Sequence, residues 1–159
     1  MNRLIKLQQQ PTATSCVTTC MAMLCNRPVS DLMEEGIDRE YHQSDASLTL
    51  AEMFDALSID YLSFNTCDRN SLGEKGAGAY LVCVPSLNIM GGNHQLIVEM
   101  DDEGDWVVLD PNEGKDGKIY YTSFPTTNPL QFMLGGGYTV EAFIPRRNLE
   151  LVYLPQEVE

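Results

Sequence analysis

Hydrophobic positions recur at helical spacing along the first third of the chain. Apolar and small residues fill positions 16–24 and predict a first helix, with Ser15 or Thr14 placed to cap its start. Ser30 can cap a second helix that extends to about Glu40. The pattern therefore predicts that the N-terminal third of the protein is helical.

A third helix is predicted over residues 47–57. Thr49 is followed three residues later by Glu52, which is the spacing of a capping box, in which each side chain bonds the backbone N–H of the other. The apolar positions behind this start fall on one helical face: Leu50, Met53, Phe54 and Leu57. We expect that face to pack against the core.

After Ile59 the hydrophobic pattern becomes that of strands. Residues 61–64 are β-prone, and residues 78–84 form a nearly continuous apolar run that is typical of a central strand. Residues 94–100 and 106–109 flank a glycine-containing turn and predict a hairpin. Three further segments are strand candidates, the last as an edge strand: 118–123, 138–144 and 149–154.

The order of these elements predicts the fold class. Helices come first and an antiparallel sheet follows, which indicates an α+β protein with the helices packed on one side of the sheet. A chain of 159 residues fits one domain and is long enough to bury a core, so we expect a single domain over residues 1–159.

Net charge and cysteine content indicate which classes of partner are disfavoured and in which compartment we expect the protein. With 10 basic and 23 acidic side chains the net charge is -13, which disfavours nucleic acid and anionic membranes as partners. No apolar run is long enough for a membrane span, and the N-terminus lacks the pattern of a signal peptide. Five cysteines, an odd number, argue against a disulfide framework. We therefore expect a cytoplasmic protein.

Cys16 is the first candidate for chemistry. It lies at the start of the predicted first helix, where unpaired N–H groups and the helix dipole favour a thiolate. A thiolate is a nucleophile, so this position suits covalent catalysis. The alternative interpretation is a small buried apolar residue, which is the common fate of a cysteine that forms no disulfide.

His94 and Asp110 are candidates to act on that thiol. His94 opens one arm of the predicted hairpin, where it could take a proton from Cys16. Asp110 ends the other arm, and the expected register places it opposite His94, where a carboxylate would orient the ring. The alternatives are an ordinary histidine at a strand end and a turn aspartate before Pro111. The second histidine, His42, lies in a polar stretch and is expected to be solvated.

Gln10 precedes Cys16 by six residues. Its side-chain amide could donate a hydrogen bond to an oxyanion, with the backbone N–H of Cys16 as the second donor. The alternative is that Gln10 faces solvent, since it ends a run of three glutamines.

A metal site is a weaker interpretation of the cysteines. Three of them are clustered and His94 could add a nitrogen, but zinc sites have paired clusters, and the other two cysteines are isolated. The clustered residues are Cys16, Cys20 and Cys25, and the isolated ones are Cys67 and Cys83. Cys20, Cys25 and Cys83 are expected in the core, and we predict neither a metal nor another cofactor.

Three segments together resemble the papain-like cysteine peptidases, and most closely the bacteriocin-processing, peptidase C39-like branch. The segments are 10–16, 92–98 and 107–111, and the likeness covers residues 8–112. The shared features are a glutamine six residues ahead of the cysteine, a histidine that opens a strand, and an Asp-Pro pair that ends the next strand. The resemblance implies a papain-like fold and a peptide or protein substrate.

The resemblance also implies a role for each candidate residue. Cys16 would be the nucleophile, His94 the general base and then the acid, Asp110 the orienting group and Gln10 the oxyanion donor. The sequence departs from the family pattern at Val17, where the family usually has glycine.

Three functions remain open on the sequence. The first is a cysteine hydrolase that cleaves an amide or peptide bond through a thioester on Cys16. The second uses the same Cys-His-Asp constellation for deamidation or acyl transfer. The third is a non-enzymatic, inhibitor-type protein that binds a partner on the same fold.

Overall fold

The computed structural model describes residues 1–38, 48–64 and 71–157. This part of the chain is α+β with an antiparallel sheet and a few helices, as the sequence predicts. Its elements follow in the order α1 (Cys16–Cys25), α2 (Val29–Glu34), α3 (Leu50–Ala56), β1 (Leu62–Ser63), β2 (Gly78–Pro85), β3 (Asn93–Met100), β4 (Trp106–Leu109), β5 (Tyr120–Thr122), β6 (Gln131–Met133), β7 (Thr139–Pro145) and α4 (Arg146–Tyr153).

The main sheet has five strands in the order β1-β7-β2-β3-β4, and all neighbours are antiparallel. β2 lies in the middle and is buried over most of its length, which confirms the prediction from its apolar run. β5 and β6 form a separate parallel pair. The sequence did not predict β6, which has only three residues and no buried position.

Two apolar clusters lie on the two faces of the main sheet. Side chains alternate along a strand, so β2 gives Leu81 to the face that α1 covers and Val82 to the opposite face. α1 lies against the first face and is buried almost all round, with Met21 and Met23 inaccessible to solvent. The N-terminus of α1 is thereby held over one end of the sheet.

The start of α1 differs from the predicted cap. Ser15 is the N-cap residue, but its side chain makes no capping hydrogen bond. Its hydroxyl instead donates to the carbonyl of Thr12 and accepts from the N–H of Thr12, which ties the preceding turn together. The first N–H groups of α1 therefore donate no hydrogen bond to the Ser15 side chain.

The second and third helices show what local signals can determine. α2 begins at Val29 and ends at Glu34, so the prediction of a helix to Glu40 is wrong over the described residues. The reason is Gly36, whose φ of 74° allows the left-handed turn that closes the helix. The capping box that begins α3 is confirmed, since Thr49 and Glu52 bond each other's backbone N–H.

The predicted edge strand over residues 149–154 is wrong, because this segment lies within helix α4 and the residues that follow it. Its apolar residues have helical spacing: Leu149 is buried in the core beneath the helices, and Tyr153, four residues later, packs against the same core. The hydroxyl of Tyr153 donates to the carbonyl of Met23 in α1. No helix among the described residues is long and apolar enough to cross a membrane.

Candidate active site

Cys16 is the first residue of α1, and it lines two cavities. Only 7% of the residue is exposed. The first N–H groups of a helix have no partner within it, and together with the helix dipole they favour a negative charge at this end. α1 packs against β3, so Cys16 lies beside the strand that carries His94.

His94 is the second residue of β3 and is almost fully buried. Its Nε2 atom lies 2.7 Å from Oδ1 of Asp110, and the Cys16 side chain lies close enough to the ring to contribute to its raised pKa. Because Asp110 engages Nε2, the nitrogen that remains for the sulfur is Nδ1. The structure therefore brings together the three residues that the sequence singles out: Cys16, His94 and Asp110.

Asp110 is held in a fixed orientation by the backbone. It is 1% exposed. Its Oδ1 atom accepts the N–H of Asn112 at 2.8 Å, and its Oδ2 atom accepts the N–H of Tyr121 at 2.8 Å. With His94 this makes three hydrogen bonds on one carboxylate, so the side chain has little freedom to turn away from the ring.

The route by which Asp110 reaches His94 differs from the predicted one. The expected register placed the two residues directly opposite each other, but β3 and β4 pair Met100 with Trp106 and Ile97 with Leu109, two residues away from that register. With residues 101–105 in the turn and Met100 paired with Trp106, the position opposite His94 would be 112 and not 110, so the expected register did not fit the predicted turn. β4 ends at Leu109, and the carboxylate reaches His94 from the turn that follows.

The environment of His94 favours its protonated form. Burial lowers the pKa of His94, but hydrogen bonds to Asp110 and Cys16, and the electrostatic attraction of both groups, outweigh burial and raise the pKa from 6.5 to about 9. A histidine with this pKa is an imidazolium at neutral pH. That is the state that stabilises a neighbouring thiolate.

Gln10 lies at the same site. It is 2% exposed and lines one of the cavities with Cys16 and His94, so the interpretation of a solvent-facing side chain is wrong. Its backbone N–H bonds the carbonyl of Pro111, which fixes it beside the Asp110 turn. Its Nε2 donates to the carbonyl of Thr12 at 2.8 Å. The amide has a second proton for another acceptor.

The cavity that contains Gln10 has a volume of about 230 Å³. One wall is the loop 86–92, which is closed by a hydrogen bond from the N–H of Ser86 to the carbonyl of Gly92 and presents Ile89 and Met90. Lys118 lies at the same cavity. This flank of Cys16 therefore offers apolar surface and a positive charge.

A second cavity of about 200 Å³ is also lined by Cys16 and His94. It is lined by Cys83, Gln95 and Glu141, which sequence reasoning did not assign to a site. Cys83 was expected in the core, and this is wrong, because the residue is only half-buried and faces the cavity. Burial and the nearby Glu141 raise the pKa of Cys83 to about 12, so it remains a thiol.

The described part of the chain contains no candidate metal centre. No group of three or more His, Cys, Asp or Glu side chains in residues 1–38, 48–64 and 71–157 is arranged to hold an ion. Cys20 is fully buried in the core, as expected, and burial raises its pKa well above the usual value. His42 and Cys67 lie outside the described residues.

The site combines a helix-terminal thiol, a protonated histidine and a fixed carboxylate at the meeting point of two cavities. The chemical features of this arrangement are those of nucleophilic catalysis by cysteine. The sequence matches no protein-family model, and no curated protein matches it.

Proposed function

We propose that the protein is a cysteine hydrolase with a papain-like fold, which cleaves an amide or peptide bond through a thioester on Cys16. The observation that carries the proposal is the buried Asp110 carboxylate, 2.7 Å from Nε2 of His94, on a ring that lines the same cavities as Cys16. A carboxylate in this position fixes the ring's tautomer and stabilises the imidazolium.

In the first half of the reaction, the Cys16 thiolate attacks the carbonyl carbon of the substrate. The oxygen becomes an oxyanion, for which the N–H of Cys16 and the side-chain amide of Gln10 are the available donors. The intermediate collapses, the C–N bond breaks, and His94 gives its proton to the departing amine. The products of this half are a free amine and a thioester on Cys16.

In the second half, water attacks the thioester carbon. The neutral His94 takes a proton from the water, and Asp110 stabilises the imidazolium that forms. The C–S bond breaks, the acid leaves, and Cys16 is again a thiolate beside protonated His94. The proton count closes over one cycle, so no cofactor is required by this scheme.

We infer a peptide or protein substrate from the family resemblance, and two cavities that border Cys16 support this inference. A chain that crosses the thiol could place side chains in both. Val17 lines the second cavity. Its β-branched side chain takes up more of that cavity than the glycine that the papain-like family usually has at this position.

The first test is the alkylation rate of each cysteine against pH, measured by iodoacetamide labelling and peptide mapping. We expect Cys16 to react fastest below pH 7, because His94 stabilises its thiolate, and to lose this advantage in His94→Ala. The buried Cys20 and the protonated Cys83 are references within the same molecule. If Cys16 labels like an ordinary thiol, or if His94→Ala changes nothing, the proposal is wrong.

The second test identifies the reaction. Candidate peptides are incubated with the protein or with Cys16→Ser in ¹⁸O-labelled water and analysed by mass spectrometry. Hydrolysis of the backbone gives two fragments with label in the new carboxyl group. An intact peptide with a labelled side-chain acid would indicate deamidation, and a product that joins two peptides would indicate acyl transfer; either result would replace backbone hydrolysis as the reaction.

A further inference from the structure

The cavity lined by Gln10, Cys16 and Lys118 has no acidic lining, although the protein as a whole is acidic. None of the described residues that line it is an aspartate or a glutamate. Because the chain has 23 acidic side chains against 10 basic ones, this lining differs from the overall composition. The charge of protonated His94 is balanced by Asp110, so Lys118 supplies the uncompensated positive charge. Such a lining favours an anionic ligand.

Lys118 has no carboxylate partner in the part of the chain that the structure describes. The ion pairs found there use other cations, namely Arg27, His94 and Arg146. Asp116 is the acidic residue nearest to Lys118 in sequence, and it neither pairs with Lys118 nor lines the cavity. The half-buried ammonium group of Lys118 therefore has three N–H donors that a ligand can use.

The backbone next to Lys118 is tied to the loop 86–92, which forms one wall of the cavity. The side chain of Asn88 bonds both backbone groups of Ile119, since its Nδ2 donates to the carbonyl at 2.7 Å and its Oδ1 accepts the N–H at 3.0 Å. Within the loop, the hydroxyl oxygen of Ser86 accepts the N–H of Asn88. The chain is therefore held at the cavity before a ligand binds, which lowers the entropy cost of binding.

Asn112 is a second, independent sign of a ligand. It is 6% exposed and lines the cavity, and its side-chain amide makes no hydrogen bond with any described residue. Its backbone N–H donates to Oδ1 of Asp110 at 2.8 Å, which fixes its position beside the proposed catalytic residues. A buried amide without a partner is unfavourable, and its two N–H protons suit the oxygens of a carboxylate.

We propose that this cavity binds a carboxylate of the substrate close to the bond that Cys16 attacks. Lys118 is the ionic partner of the carboxylate, and the side-chain amide of Asn112 donates a hydrogen bond to it. The carboxylate belongs to an aspartate or glutamate side chain or to the C-terminus of a peptide, which offer the same chemistry. The inference rests on the proposed function, since it names the substrate class of the same site.

The test uses alkylating probes in matched pairs and needs no turnover. N-iodoacetylglycine and its amide differ only in a C-terminal carboxylate. N-iodoacetylglutamic acid α-amide and N-iodoacetylglutamine amide differ only in a side-chain carboxylate. The Cys16 sulfur displaces iodide from each probe, and peptide mapping reads the rate at that residue alone. In each pair, the ratio of anionic to neutral rates is divided by the same ratio for N-acetylcysteine amide.

We expect a preference for the anionic probe in at least one pair, and the pair that shows it identifies the source of the carboxylate. Lys118→Gln should lower this preference roughly threefold to tenfold, because an ion pair partly open to solvent is lost. Asn112→Ala should lower it by a smaller factor, because a hydrogen bond is lost and the cation remains. Lys118→Gln that left both ratios unchanged would overturn the proposal.

Two variants control this experiment. Lys75→Gln removes a positive charge from an exposed turn before β2, at the end of that strand where Gly78 pairs with Met100 and away from the end where Val84 pairs with His94. It should leave both ratios unchanged, and an equal loss in this variant would assign the preference to net charge and contradict the subsite. Lys118→Arg keeps the charge and should retain most of the preference.

The outcomes separate this inference from the proposed function. If Cys16 reacts rapidly and in a His94-dependent way, but neither ratio depends on Lys118, the carboxylate subsite is wrong and the hydrolase proposal stands. If a ratio depends on Lys118 and no peptide is turned over, the anionic site stands and the proposed function fails. Peptides cleaved beside a carboxylate by wild type, and much more slowly by Lys118→Gln, would support both.

Discussion

Two buried carboxylates, Asp110 and Glu99, lie on the same hairpin in opposite settings. Asp110 follows β4 and is 1% exposed, with two backbone N–H groups and His94 on its oxygens. Glu99 lies in β3 and is fully buried, and its oxygens accept the N–H groups of Leu4 and Ile5 at 2.7 and 3.0 Å. Both are ordered by the backbone.

The difference lies in the third partner of each carboxylate. The third partner of Glu99 is the guanidinium of Arg146, whose Nη1 atom lies 3.9 Å from Oε2 of Glu99. A guanidinium is a permanent positive charge in proteins. Neither Glu99 nor Arg146 lines the two cavities beside Cys16. The third partner of Asp110 is His94, which titrates. His94 lies beside the Cys16 thiol, which borders two cavities. Burial and backbone hydrogen bonds are therefore common to both carboxylates, and only Asp110 has a titratable neighbour at a cavity, which is the setting that its proposed catalytic role requires.

The largest effect that tests this contrast is expected from Asp110→Asn. The side-chain amide of Asn would place its own N–H protons where Asp110 now accepts hydrogen bonds from N–H groups. It would also favour the tautomer of His94 that is unsuited to catalysis. We expect peptide hydrolysis to fall by about 10³- to 10⁴-fold, the loss known for this change in serine peptidases, and alkylation of Cys16 at pH 6 to slow as well. Asp105→Asn, the same change in an exposed turn, is the control. Asp110→Asn that kept activity within tenfold would remove Asp110 from the mechanism.

The next effect is on stability and comes from His94. Its pKa is raised in the folded protein to about 9, above the value near 6.5 expected when unfolded. The protonated ring therefore stabilises the fold fully below about pH 6.5, and this stabilisation is lost as the pH rises through 9. We expect the free energy of unfolding to fall by roughly 3 kcal/mol over this range.

The measurement is urea denaturation between pH 6 and 9.5, for wild type and for His94→Gln. The variant lacks the titrating group, so its stability should change less over the same range. If the free energy of unfolding changed with pH in the same way for both proteins, His94 would take up no proton on folding. The electrostatic difference that we describe between Asp110 and Glu99 would then be wrong.

Local signals allowed much of the fold to be predicted. The apolar run of β2 and the capping box of α3 depend on neighbours in sequence, and both are confirmed. The failures come from wider context. The end of α2 depends on the left-handed conformation of Gly36, and α4 was misread as a strand because five of the six residues at 149–154 are apolar, a run that fits a short strand as well as a helix.

The candidate site also has residues that were predicted from the sequence and residues that were missed. Cys16, His94 and Asp110 were found from their residue types and from the order of elements, and the structure brings them together. The residues of the second cavity were missed. Glu141 faces it only because of a bulge between β2 and β7, which depends on the pairing of distant strands and leaves no signal in the local sequence.

The smallest effect is expected from Glu99→Gln, and it completes the contrast. The amide oxygen of Gln can still accept a hydrogen bond from the N–H of Leu4 or of Ile5, but the negative charge opposite Arg146 is lost. We expect the free energy of unfolding to fall by about 2 kcal/mol, as for a buried hydrogen bond to a charged group, measured by urea denaturation against the exposed Glu103→Gln. Activity per folded molecule should not change, because Glu99 touches neither Cys16 nor His94. A loss of activity without a loss of stability would show that the N-terminal segment held by Glu99 also positions the site, and the distinction between the two carboxylates would fail.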